Sequence, residues 1–215
     1  WHLVLLVFLP FFLYIKTVGY QLINFDDVQI IVNNFDFLMN IKNIGAAFQT
    51  DAFMSPHGDY YRPLQTVTLM FDTIIGEGRA WIYHFSNLIY HIFTVISFYY
   101  LLRLLKIKNL SALFVALVFS VHPLLASSVS WIPARGDVLI GLFGVLSFVT
   151  FIKYLITHKP VFLLLHIAVF LLAIFSKESA ILLPVMLFFY LAFMKEQKLI
   201  EKLKELIPFI VIWLS

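Results

Sequence analysis

The stretch Val161–Phe175, VFLLLHIAVFLLAIF, is apolar at every position except His166. Leu110–Val121, LSALFVALVFSV, is similar, and its apolar residues would cover every face of a helix. A strand of a membrane barrel would instead alternate apolar and polar residues over about ten positions. Such blocks recur along the chain with lengths of about 16 to 22 residues, close to the length that a helix needs to cross a bilayer. The sequence therefore predicts an all-α, polytopic bundle of transmembrane helices.

The composition agrees with a membrane protein. Of 215 residues, 62% are hydrophobic and 13% are charged, and the mean hydropathy is +0.95, which excludes an ordinary water-soluble domain. The net charge is +3, but the basic residues are scattered, so a nucleic-acid partner is not expected. Because the chain has no cysteine, disulfides and thiolate metal sites are excluded.

The blocks and the charges between them predict a topology. The spans are predicted near residues 1–19, 81–102, 110–130, 137–157, 160–176 and 178–194, with a seventh from 206. Most Lys and Arg residues fall in the connectors 103–109, 153–159 and 195–205, which lie on one side and are assigned to the cytoplasm. The segments predicted on the extracytoplasmic side are the loop 20–80 and the turns 122–136 and 176–179.

The two ends suggest a piece of a longer protein. The chain begins at Trp1 without Met and stops at Ser215 inside an apolar run. We therefore expect residues 1–215 to be the N-terminal part of one transmembrane domain. No small-residue cleavage site follows the first block, which favours an uncleaved span over a signal peptide.

The first extracytoplasmic loop, residues 20–80, is long enough to form a small functional subdomain. After Pro63, apolar residues recur at helical spacing and predict a helix over 63–75. This helix would either lie flat in the membrane interface or pack on the bundle. The apolar residues are Leu64, Val67, Phe71 and Ile74.

Several polar residues are predicted at the extracytoplasmic face. Asp26 and Asp27 are adjacent carboxylates, which can supply a general base or simply form a solvated loop or helix cap. His84, Asn87 and His91 share one helical face, which suits either a site or hydrogen bonds between helices.

Two cations could hold a phosphate at the same face, namely Arg135 and Lys177. The alternatives are contact with lipid headgroups or structural ion pairs with Asp137 and Glu178. His84 and His122 lack the spacing of metal ligands, so no protein-only metal site and no cofactor are predicted, although a divalent metal is not excluded.

Short motifs from Phe25 to about Pro184 resemble a known family when they are taken in order. The chain is similar to the polytopic GT-C glycosyltransferases, and in particular to bacterial relatives of the transmembrane and tetratricopeptide-repeat O-mannosyltransferases. The motifs are Phe25-Asp26-Asp27 with Ile30 and Asn33-Asn34, Tyr61-Arg62-Pro63-Leu64, His84 with Asn87-Leu88 and His91, His122-Pro123, Trp131 with Arg135-Gly136-Asp137-Val138-Leu139, and Ser176-Lys177-Glu178-Ser179.

The resemblance implies a GT-C-like fold and a membrane glycosyltransferase. The donor would be a sugar, possibly mannose, on a polyprenyl phosphate, and the acceptor a hydroxyl of a protein or glycan outside the bacterial cytoplasmic membrane. Asp26 or Asp27 would be the catalytic base, and Arg135 and Lys177 would hold the donor phosphate. The residues implied in the acceptor or donor pocket are Tyr61, Arg62, His84, Asn87, His122, Asp137 and Glu178.

One stretch departs from the family pattern. After His122-Pro123 this chain reads Leu124-Leu125-Ala126-Ser127-Ser128, without the His and Glu that the family commonly has there.

Two other classes of protein also fit a polar helical bundle, namely a secondary transporter and an inactive membrane scaffold. A transporter would place its ionisable groups near the middle of the membrane, whereas here most of them lie at one face.

Overall fold

The computed structural model describes residues 1–54, 58, 60–194, 207, 209, 210 and 213. The predicted connector 195–205 and most of the predicted seventh span therefore lie outside the described residues. The described part is helical and contains no strand. Its α-helices are α1 His2–Tyr14, α2 Phe35–Met39, α3 Ile44–Ala47, α4 Pro63–Gly76, α5 Ala80–Leu104, α6 Asn109–Ser120, α7 Ala126–Ser130, α8 Arg135–Thr157, α9 Pro160–Ser176 and α10 Leu183–Met194.

Among the described residues, three segments are long and apolar enough to cross a membrane, which confirms the predicted all-α transmembrane bundle. They are His2–Gly19, Ala80–Leu104 and Ile132–Thr157, and they correspond to the predicted first, second and fourth spans. Pro160–Ser176 and Glu178–Phe193 are apolar but shorter helices at the positions of the predicted fifth and sixth spans.

The predicted third span is broken. Asn109–Ser120 and Pro123–Ser130 pass as a span only when they are taken together, and they are bent by 49°. The break lies at His122, which is extended (φ −64°, ψ 128°), as expected for a residue that precedes a proline. Pro123 then begins the second piece, because proline suits the first turn of a helix but not its interior.

The long helix α5 organises the bundle by packing against α1, α6 and α8, while α8 also packs against α9. Buried side chains fill the space between these helices, among them Leu88 and Val95 on α5 and Phe151 on α8. The ends of α5, α8 and α9 that adjoin the first loop are thereby held side by side.

Helix α4 begins at Pro63 as predicted and packs on α5, but with its more polar face inward. Its buried residues include Gln65, Thr66, Asp72 and Thr73. Phe71 on the predicted apolar stripe is exposed, and so is the nearby Ile75. The helix thus packs on the bundle, which was one of the two predicted alternatives, and presents an apolar outer surface.

Candidate functional site

Four segments that are distant in sequence meet at one end of the bundle around a cavity of about 220 Å³. Asp26 and Arg62 come from the first loop, Asp137 from the first turn of α8, and Lys177 from the residue after α9. The remaining lining residues are Ile30, Ala52, Phe53, Tyr60, Gln65, Trp131, Pro133 and Ala134. We call this space the cation cavity. It brings together one of the two predicted acids and one of the two predicted phosphate ligands.

Both cations of the cation cavity are paired with carboxylates. Lys177 donates from Nζ to Oδ1 of Asp137. Arg62 donates from Nε to Glu178 Oε2 at 2.9 Å and from Nη2 to Oε1 at 2.6 Å. Its guanidinium also lies 4.9 Å from the ring centroid of Tyr60. The first loop is therefore tied to the turn between α9 and α10 by a two-point ion pair, a geometry that orients the guanidinium.

A second cavity of about 720 Å³ adjoins the first. It contains Asp27 and His84, and Trp131 lines both cavities. Its other lining residues are Gly19, Tyr20, Gln21, Leu22, Ile23, Ser127, Ser130 and Ile132. We call it the histidine cavity. Among the described residues its lining has no Lys or Arg, so the two cavities differ in charge.

Asp27 is 2% exposed, in contrast to its half-buried neighbour Asp26. Its Oδ2 accepts a hydrogen bond of 2.9 Å from the backbone nitrogen of Ile23, and its Oδ1 has no partner among the described residues. Burial raises the pKa of the Asp27 carboxyl, the nearby Asp26 raises it further, and the Ile23 hydrogen bond opposes both effects. Asp27 thus holds the backbone turn that leads into the loop and keeps one oxygen available.

The three polar residues on the inward face of α5 have different surroundings. His84 is 2% exposed, and the Tyr20 ring lies edge-on at 6.0 Å. Neither of its ring nitrogens makes a hydrogen bond of normal geometry among the described residues, and the Ser130 backbone interacts with the ring only weakly. Asn87 accepts a hydrogen bond from Arg135. His91 Nε2 lies 2.9 Å from the Ser120 carbonyl oxygen on α6 and forms the bond between helices that was one predicted alternative.

Arg135 lies apart from Lys177 and lines neither cavity. It is fully buried, and its Nη1 lies 2.5 Å from Asp72 Oδ2. It also donates to three oxygens, namely Asn87 Oδ1 at 2.7 Å, Ser86 Oγ at 2.6 Å and the Tyr83 carbonyl at 2.8 Å. Arg135 therefore forms a structural ion pair, but with Asp72 on α4 and not with the predicted partner Asp137.

Two other residues that the family resemblance singles out lie outside both cavities. The Tyr61 hydroxyl donates to the Phe48 carbonyl at 3.0 Å, and its ring lies 6.5 Å from that of Phe175. His122 is exposed, and its Nδ1 accepts from the Leu124 backbone nitrogen at 3.3 Å. In the described residues no group of three or more His, Asp or Glu side chains is arranged to hold a metal ion.

Sequence reasoning did not single out Asp72, and it named Trp131 only as part of a motif. Asp72 is a single acid within the apolar run 67–75, and an acid at such a position indicates a cationic partner inside the bundle. The position of Trp131 between two cavities has no comparable signal in the sequence, because it depends on how the segment before α8 folds back.

Comparison with known proteins identifies relatives. Protein O-mannosyl-transferase TMTC1 of Mus musculus is 30% identical over 172 residues, which cover 73% of this chain and 18% of that protein. TMTC3 of Mus musculus is 29% identical over 134 residues, with 60% and 14% covered. The Xenopus laevis protein tmtc2 is 29% identical over 150 residues, with 68% and 18% covered.

These matches confirm the resemblance that the motifs predicted. The aligned regions cover less than a fifth of the length of these three relatives. No family model matches the chain. No solved structure matches it either.

Proposed function

We propose that this chain, a relative of the protein O-mannosyl-transferases TMTC1, TMTC2 and TMTC3, is a membrane glycosyltransferase. It would transfer a hexose such as mannose from a polyprenyl phosphate to a hydroxyl of a protein or glycan on the extracytoplasmic side. The observation that carries the proposal is the cation cavity. Asp26 and Lys177 both line it, although they are 151 positions apart in the sequence.

The reaction needs a base beside the acceptor hydroxyl and a cation beside the donor phosphate, on opposite sides of the anomeric carbon. The acceptor oxygen attacks the anomeric carbon of the sugar and forms the new glycosidic bond. As the bond from that carbon to the phosphate oxygen breaks, its electron pair goes to the phosphate, and the hydroxyl proton goes to a carboxylate. A fixed cation beside the phosphate stabilises the charge that develops there.

Asp26 is the better placed of the two acids for the role of base. It lines the same cavity as Lys177, whereas Asp27 lies in the neighbouring histidine cavity and is held through Oδ2 by the Ile23 backbone. A general base must come within hydrogen-bond reach of the hydroxyl that it activates, so a position beside the phosphate site matters first.

Lys177 is the proposed ligand of the donor phosphate, with Arg62 as its neighbour at the same cavity. The Lys177 ammonium donates to the Asp137 carboxylate in the structure, so a phosphate would compete with that carboxylate for Lys177. Arg135 contributes in a different way in this proposal. Its bonds to Asp72 and to α5 fix the first turn of α8, and this turn carries Asp137.

The charge distribution supports an extracytoplasmic site. The cavity end of the bundle receives the first loop, while at the other end the C-terminal parts of α5 and α8 and the connectors that follow them carry basic residues. These basic residues are Arg103 in α5 with Lys106 and Lys108 after it, and Lys153 in α8 with Lys159 after it. Short loops with such an excess of Lys and Arg stay in the cytoplasm.

Polar groups deeper in the bundle have protein partners, which does not favour a transporter. His166 Nδ1 lies 3.2 Å from the Ser147 carbonyl oxygen, and Trp213 donates from Nε1 to His166 Nε2 at 3.2 Å. His91 is satisfied by the Ser120 carbonyl. These contacts account for the two deep histidines as structural hydrogen-bonding groups.

The test is a transfer assay on the protein reconstituted in lipid, with a radiolabelled polyprenyl-phosphate hexose and a hydroxyl acceptor. Asp26→Asn removes the proposed base and keeps the side-chain shape, so we expect transfer to fall by about 100-fold or more. Asp36→Asn is the matched control, because Asp36 is an exposed acid of the same loop that lines neither cavity.

Asp27→Asn separates the two acids, and we expect it to retain more transfer than Asp26→Asn. Equal transfer by the parent and Asp26→Asn would remove Asp26 as the base. A parent protein that transfers no hexose from any lipid phosphate would overturn the proposed function itself.

A further inference from the structure

The histidine cavity is lined by three side chains with buried polar atoms that make no hydrogen bond of normal geometry among the described residues. These atoms are Asp27 Oδ1, both ring nitrogens of His84, and Trp131 Nε1. Asp27 and His84 are each 98% buried, since each is only 2% exposed. Buried polar groups are nearly always paired in folded proteins, and leaving one unpaired is unfavourable. Three at one cavity indicate a site that is built for a polar ligand.

The three groups define what that ligand must offer. The ionised Asp27 oxygen only accepts, the Trp131 N–H only donates, and a neutral imidazole does one of each. Hydroxyl groups both donate and accept, so a ligand with several hydroxyls can satisfy all three side chains. A phosphate suits the cavity poorly, because its lining has no Lys or Arg and its one acid would repel the anion.

The remaining walls favour a sugar ring among hydroxyl-rich ligands. Tyr20, Leu22 and Ile132 provide apolar surface, and Trp131 adds an aromatic ring. A pyranose has an apolar face of C–H groups that packs on such surfaces while its hydroxyls bond at the edges. The volume of about 720 Å³ lies within the range of roughly 300 to 1,000 Å³ that is usual for small-ligand pockets.

We propose that the histidine cavity binds a neutral hexosyl group, whose hydroxyls are held by Asp27, His84 and Trp131. The inference rests on the proposed function and deepens it by locating a sugar next to the cation cavity, since Trp131 lines both. The hexosyl group belongs either to the lipid-linked donor or to a glycan acceptor. Both sources present the same hydroxyl chemistry to the cavity.

The test measures binding without turnover. Methyl α-mannopyranoside is titrated onto the protein in lipid nanodiscs, free of sugar-based detergent, and saturation-transfer NMR reports the bound sugar. We expect saturable binding that inorganic phosphate does not displace. Asp27→Asn and His84→Phe each remove hydrogen bonds to the sugar, so each should weaken the Kd by about tenfold. Asp36→Asn, the exposed acid of the same loop, should bind as the parent does.

A competition arm identifies the source of the sugar. A short-chain polyprenyl-phosphate hexose that displaces the methyl mannoside assigns the cavity to the donor sugar. Simultaneous binding of both assigns it to a glycan acceptor. The thermal unfolding midpoint of each variant is measured in parallel, so that a folding defect in His84→Phe is recognised and Asp27→Asn then carries the comparison.

Two results would overturn the inference: no saturable binding of the methyl hexoside by the parent protein, as for a cavity that holds only water, or equal binding by the parent and both variants. Neither result depends on catalysis. Transfer without hexoside binding would reject this inference and leave the proposed function standing, whereas binding without transfer would do the reverse.

Discussion

Replacing Asp72 by Asn should destabilise the start of α8, although Asp72 itself lines neither cavity. The carboxylate of Asp72 compensates the fully buried Arg135, whose other partners are three neutral oxygens on α5. Breaking a buried ion pair by removing one partner costs about 3–5 kcal/mol, because the other charge is left uncompensated. We expect the free energy of unfolding to fall by about that amount.

The measurement is equilibrium unfolding of the parent and variant proteins in mixed micelles, followed by circular dichroism. The double variant Asp72→Leu with Arg135→Met removes both charges and should recover most of the lost stability, since an apolar pair of similar size can replace a buried ion pair. Glu77→Gln is the control, because Glu77 follows the same helix and forms only an exposed pair with Arg79.

The family resemblance makes a competing prediction for Arg135. A residue that holds the donor phosphate would, when replaced by Lys, raise the donor KM with little change in stability. A structural role for Arg135 would be contradicted if Arg135→Lys left the free energy of unfolding unchanged but weakened binding of the donor. It would be refuted equally if Asp72→Asn proved as stable as the parent protein.

Three further predictions concern the loop and the cation cavity. Lys177→Met should raise the donor KM at least tenfold, and Lys177→Arg should recover part of this loss because the positive charge returns; a donor titration in the transfer assay checks both. Burial raises the pKa of Asp27, so the free energy of unfolding should increase as the pH falls through this raised pKa. Stability measured between about pH 4 and 8 should show this pH dependence in the parent protein and lose it in Asp27→Asn. Glu178→Gln removes the exposed partner of Arg62 and should change the unfolding free energy by less than about 1 kcal/mol, as chemical denaturation would show.

The sequence predicted the helical class and the face on which the polar groups collect. Long apolar runs such as 161–175, which contain only His166 as a polar residue, indicate helices in a lipid-exposed or buried environment. The basic connectors indicate which helix ends lie on the same side of the membrane. These signals are local and additive along the chain. They were sufficient to place Asp26, Asp137 and Lys177 at one end of the bundle before any contact was known.

The partners of individual charges were not predictable in the same way. Lys177 pairs with Asp137 as one alternative suggested, but Arg135 pairs with Asp72, which is 63 positions away in the sequence. The partner of Arg135 depends on which side of α4 faces the bundle. The apolar stripe of this helix predicted the side opposite to the one that is buried. In lipid, an apolar stripe can face outward, so helical periodicity alone does not identify the packed face.

The bend between Pro123–Ser130 and the helix before it also lay beyond the apolar pattern, since the whole stretch is apolar on average. The local signal for a break is the pair His122-Pro123, because proline restricts the backbone of the residue before it, and the predicted span 110–130 did not take it into account. This bend precedes Ser127 and Ser130, which line the histidine cavity.

Because Trp131 lines both cavities, two ligands that bound there would be coupled through its indole ring. A molecule that shifts the indole on one side alters the space available on the other, and this influence must be equal in both directions at equilibrium. Filling either compartment would therefore favour or oppose filling of its neighbour by the same free energy. The orientation of the Trp131 ring would then influence the order in which two substrates bind.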